Sequence, residues 1–121
     1  MVMYNQLPIY RDSYLLLTEI YKVTTKFPRD YKYTLGQDMK RDVLTLFRDL
    51  YGANVSADKR QYHLDNFLTS FELLKIEIRL CVDLNVLSIN KLAQLSLIMD
   101  SIAKQAQGWR KKSVKAMPKS C

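Results

Sequence analysis

The stretch LDNFLTSFELLKIEIRLC, residues 64–81, decides the fold. Its apolar residues Leu64, Phe67, Phe71, Leu74, Ile78 and Cys81 step by 3, 4, 3, 4, 3, the period of one helical face and not the alternation of a strand. Asp58 ahead of it is placed to cap a helix start, and Asp83 to Ser88 breaks the pattern with Asn85 before a fresh cap at Ser88. The segment predicts a helix over about 58–84.

Three further stripes share that period. Upstream, Leu7, Tyr10, Tyr14, Leu17, Tyr21 and Thr24 predict a helix over 8–26. Leu35, Met39, Val43, Leu46 and Leu50, widened by Phe47, predict a second over 30–53, with Gly52 and Asn54 as its stop. Downstream, Leu92, Leu95, Met99, Ile102, Ala106 and Trp109 predict the last, over 88–109. The connections at 27–30, 53–58 and 84–88 are short, so consecutive helices become antiparallel neighbours. The expected fold is all-α: an up-down-up-down antiparallel four-helix bundle over residues 1–113, then a basic flexible tail at 114–121. Leu68, Leu73, Ile76 and Leu80 lie outside the third seam, and Leu97 and Ile98 outside the fourth. That is more apolar surface than one bundle seam needs, and it predicts a second buried face and a homo-oligomer.

A chain of 121 residues fits one domain. Three Gly, three Pro, 48% hydrophobic and 26% charged residues describe a compact helical protein, neither disordered nor fibrous. No apolar run approaches the length of about 20 residues that a membrane span needs, and residues 1–10 lack a basic-then-apolar secretory pattern, so the expected location is cytoplasmic. Of the two cysteines, Cys81 falls on a core stripe and Cys121 ends a polar tail. Reduced thiols and a buried Cys81 are expected.

No catalytic residue, metal or cofactor is expected. His63 is the sole histidine, near the start of the third helix without a second His at i+4, and reads as an exposed or half-buried helix residue. A bundle di-metal site uses Glu-x-x-His, whereas Glu19, Glu72 and Glu77 are followed three residues on by Lys22, Lys75 and Leu80. Gly36, Gly52 and Gly108 stand alone, so there is no glycine-rich phosphate loop; Gly36 reads as a point of close helix approach.

The cations are better organised. The net charge is +7, of which +5 lies in residues 110–121, where Arg110, Lys111, Lys112, Lys115 and Lys119 face no acid. Lys22, Lys26 and Arg29 step along the end of the first helix, Lys32 follows across a Phe27-Pro28-Arg29 corner, and Lys75 and Arg79 stand one turn apart on the third helix. Stacked like charges favour an anionic partner, although Glu19 and Glu72 can neutralise part of the face. Tyr31 and Tyr33, between the corner cations, can stack on unpaired bases or staple the loop to the core.

The order KFPRDYKYTLGQDMKRDV (26–43), DKRQYHLDNFLTSFELLKIEIRLCVDLNVLS (58–88) and QGWRKKS (107–113) resembles the accessory variability determinant (Avd) proteins of diversity-generating retroelements. These stand within a wider bacterial four-helix-bundle group that includes proteins encoded in ribosomal RNA intervening sequences. The intervening-sequence branch usually carries an Ile-Pro-x-Asn-Ile-Ala-Glu-Gly-like element in the second helix; this chain has VLTLFRDLYGAN there, which favours the Avd side. Gln107 departs from a glycine that Avd-like chains often carry. The resemblance implies a pentameric ring with a basic surface, and a non-enzymatic partner of a reverse transcriptase. Such a protein binds RNA and DNA with low sequence preference and supports mutagenic reverse transcription and retrohoming. Lys22, Lys26, Arg29, Lys32, Lys75, Arg79, Arg110, Lys111 and Lys112 are the candidate contacts. The alternatives are an intervening-sequence type protein, or a structural adaptor without a nucleic-acid role.

Overall fold

The computed structural model describes residues 6–116, with side chains described through Val114. Residues 1–5 and the tail beyond 116, with the expectations for Lys119 and Cys121, lie outside the described residues, as does the side chain of Lys115. Among the described residues the chain forms α1 (Pro8–Thr25), a single turn α2 (Arg29–Lys32), α3 (Leu35–Val55), α4 (Arg60–Asp83) and α5 (Ile89–Ala116). The four long helices make the expected bundle: α1 packs on α3 and α5, and α4 packs on the same two, leaving α1 and α4 on a diagonal.

The α4 stripe read from sequence is the heart of the core, with Leu64, Phe67, Phe71, Leu74, Ile78 and Cys81 all buried and the Phe67 and Phe71 rings stacked at 5.8 Å. Met39, Val43, Leu46 and Leu50 of α3 and Leu95, Met99, Ile102 and Ala106 of α5 close on it as expected. The α1 seam is a correction. Its core face is Ile9, Ser13, Leu16, Ile20, Val23 and, as expected, Thr24, continued by Phe27, while Tyr14 and Tyr21 are 51% and 42% exposed. The Tyr10-Tyr14-Leu17-Tyr21 stripe exists, but it lies beside the core on the α3 side, where Tyr10 meets Phe47 edge-on at 5.5 Å. A tyrosine keeps its hydroxyl wet more cheaply at such a margin than in the centre.

The second predicted helix is broken in two. Pro28 starts α2, whose Tyr31 and Lys32 amides donate to the Pro28 carbonyl at 2.9 and 2.8 Å. The chain turns again at Tyr33–Thr34 before α3. A Cβ on Gly36 would stand 3.3 Å from the Tyr31 carbonyl oxygen and 3.5 Å from Phe27 and Thr24, so the missing side chain permits the expected close approach. Gly52 does not stop α3, which continues to Val55. Its bare Cα instead makes room for the His63 ring, which an added Cβ would meet at 2.5 Å.

Asp58 does not cap α4; the Ser56 hydroxyl accepts from the Lys59 amide at 3.3 Å instead. Ser88 caps α5 as expected, accepting from the Lys91 amide at 3.1 Å. Between α4 and α5 the chain closes in a Schellman turn. Val86 donates to Cys81 and Asn85 to Val82, with Asn85 at φ 62°, a left-handed conformation that asparagine tolerates. α5 runs past the expected end at Trp109 to Ala116, carrying the first tail cations on a helix.

Candidate nucleic-acid interface

The predicted cations are gathered at three places. The first is the corner between α1 and α3. Phe27 is buried beneath it, Tyr31 packs against the core as a staple, and Tyr33 is 64% exposed. Arg29, Lys32, Phe27 and Tyr33 line one concavity of about 490 Å³, with the Lys32 ammonium 5.9 Å from the Tyr33 ring centre. Lys26 is exposed at the α1 C-cap, where the helix dipole favours a cation. None of Lys26, Arg29 and Lys32 reaches a described acid. Lys22, one turn earlier, does: it lies 3.8 Å from Glu19. Glu19 also takes Lys91 of α5 at 2.8 Å, and that hydrogen bond holds its carboxyl below the usual range.

The second place is the groove between α4 and α5, lined by Lys75, Arg79, Leu92, Ser96 and Asp100. Here both cations have acids on their own helix, Lys75 with Glu72 at 3.1 Å and Arg79 with Asp83 at 3.4 Å. The third is the far end of the bundle, where Arg110 pairs with Asp65 of α4, and Lys111 and Lys112 are exposed. Asp65 and Arg79 are fourteen residues apart on α4, about 21 Å at 1.5 Å per residue. The structure therefore brings Lys26, Arg29 and Lys32 onto one corner, and sets the Lys75–Arg79 pair and Arg110 towards opposite ends of α4.

Several polar features were missed by the sequence reading. Arg60 stacks its guanidinium 5.5 Å over Trp109 and donates to the Ala53 carbonyl at 2.7 Å, tying α3, α4 and α5 at the far end. Asp12 of α1 accepts from Ser101 and Gln105 of α5 at 2.9 and 2.6 Å. His63, half-buried as expected, faces buried Asp49 at 3.4 Å. Glu77 is buried on α4 against Asp42 of α3, and each has one buried oxygen without a hydrogen-bond partner. Burial, then the Asp42 carboxyl, push Glu77 up to about 8, which keeps Glu77 protonated at neutral pH. Nearby, the Cys81 thiol donates to Met39 sulfur at 3.4 Å and is pushed up to about 11 by burial and then by Glu77. Only the i, i+3 and i, i+4 pairs were readable from spacing; the others cross between helices.

Among the described residues no group of three or more His, Cys, Asp or Glu is placed to hold a metal ion, and no helix is long and apolar enough to cross a membrane. The apolar surplus is partly resolved: Leu68 and Ile98 pack on the core, while Leu73, Ile76, Leu80 and Leu97 stay exposed. No curated protein matches the chain. The profile of the bAvd-like family matches residues 2–113. That match takes in α1 to α4 and all but the last turn of α5: the chain belongs to the bAvd-like family and is an Avd-type accessory protein.

Proposed function

We propose that this chain is the non-enzymatic accessory protein of a diversity-generating retroelement. It binds the retroelement's reverse transcriptase and nucleic acid through its basic surface, and so supports mutagenic reverse transcription and retrohoming. The observation that carries the nucleic-acid part is the corner of Lys26, Arg29 and Lys32, three cations against the one acid Asp30, none of them in an ion pair with a described acid. Cations so placed repel one another, and a phosphate backbone relieves that repulsion while releasing its own counterions. Such contacts read charge and not base identity, so RNA and DNA bind with little sequence preference.

The same reading takes the chain as a homopentameric ring. The exposed Leu73, Ile76 and Leu80 step by 3 and 4 along the outer side of α4, a stripe with no purpose in a monomer. A ring also multiplies the corner, so that weak sites act together on one strand. The test is binding of RNA and DNA across a salt series. Affinity should fall steeply as salt rises, and absence of binding at low salt, or binding indifferent to salt, leaves a structural adaptor as the better account.

A further inference from the structure

We propose that the corner is a single-strand site: Tyr33 is a stacking platform for one unpaired base whose phosphates sit on Arg29 and Lys32. The inference rests on the nucleic-acid reading above and adds which form of nucleic acid the site takes. Three observations carry it. Tyr33 leaves most of its ring in solvent and shares a concavity with both cations. Tyr14, Tyr21, Tyr51 and Tyr62 are also exposed but do not line that concavity; Tyr14 stacks on Tyr10 at 6.1 Å and Tyr62 sits against His63.

The backbone that carries the ring is also fixed in place. Phe27 is buried beneath the turn, the Pro28 carbonyl holds Tyr31 and Lys32, and Gly36 lets α3 close on the Tyr31 carbonyl. A ring carried on such a turn has its own side-chain torsions, and not the backbone, left to order on binding. The concavity, about 490 Å³, lies within the range of roughly 300–1,000 Å³ of small-ligand sites, enough for one nucleotide and not for a helix.

The selectivity follows from which surfaces each form offers. Inside a duplex both faces of a base are covered by its neighbours, so a tyrosine ring meets only phosphates and sugar there. In a single strand the face is free, and an aromatic partner is worth about 1–3 kcal/mol per base, or on the order of 5- to 150-fold in affinity. The cations bind either form.

The test uses the whole chain and a short mixed-sequence RNA, alone and annealed to its complement, titrated at low salt by calorimetry. The wild type should bind the single strand more tightly. Tyr33→Ala should lose on the order of tenfold for the single strand and little for the duplex, Tyr33→Phe should keep the preference, and Arg29→Gln should weaken both forms alike. A Tyr33→Ala protein that retains single-strand affinity, or loses both forms equally, overturns the stacking site while leaving the nucleic-acid reading intact. A wild type that binds neither form overturns both.

Discussion

Replacing Glu77 by Gln should flatten the pH dependence of stability between pH 5 and pH 8. Glu77 is buried, at 9% relative exposure, and Asp42 lies beside it across the α3–α4 contact. In the unfolded chain the carboxyl ionises near 4.5, and in the folded chain near 8. Through that window the unfolded state has released the proton and the native state still holds it, so unfolding is favoured by rising pH. The native contribution is complete below 4.5 and is lost as pH climbs towards about 8, at about 1.4 kcal/mol per pH unit. Over the whole window the loss is on the order of 3–5 kcal/mol, a large part of the stability of a small domain. A glutamine has nearly the same shape and cannot ionise. Urea melts of both proteins at steps from pH 5 to pH 8 isolate the effect, because every other titrating group is common to the pair. The variant should match the wild type within about 1 kcal/mol at pH 5 and exceed it by about 2–5 kcal/mol at pH 8. Parallel curves would refute the raised titration of Glu77.

Two glycines of α3 and α5 should respond oppositely to alanine. At Gly52 the new methyl meets the His63 ring and drives it off Asp49, costing roughly 1–3 kcal/mol; at Gly108 nothing stands within 4 Å, and the helix gains about 0.5–1 kcal/mol. Thermal melts that move both variants in one direction would contradict these environments. Light scattering at micromolar concentration should give a multiple of the 14.2 kDa chain mass, and a monomer throughout would remove the ring. Arg29→Gln should weaken nucleic-acid binding and its salt dependence more than Arg79→Gln, because Asp83 already occupies Arg79; both should keep stability within about 0.5 kcal/mol of wild type, and a larger loss at Arg79 would move the site to the α4–α5 groove.

The stripes of α3, α4 and α5 were legible because each core position carries a large apolar residue at helical spacing, with polar residues between. α1 defeated the same reasoning at Ser13, a buried position whose hydroxyl has no partner. With Tyr14, Leu15, Leu16 and Leu17 running abreast, the tyrosine stripe one residue along looked the more regular. The break at Tyr33–Thr34 was hidden for a different reason: Gly36 pointed to close packing, but nothing local says that the partner is the preceding turn itself. For the site, the sequence supplied the cations and not their state of pairing. Lys75 and Arg79 could be matched to Glu72 and Asp83 by counting along a helix, whereas Arg110 with Asp65 and Glu77 with Asp42 depend on how helices face one another.

Trp109, the sole tryptophan, lies beneath the Arg60 guanidinium at the opposite end of the bundle from the Tyr33 corner. Its indole emission is therefore a built-in reporter of one locality, the seat of the last turns of α5 against the start of α4. Fraying there would redden and quench the signal while the corner stayed silent. A corner variant that loses binding with its emission spectrum unchanged can thus be separated, without any added dye, from one whose helical ends have come apart.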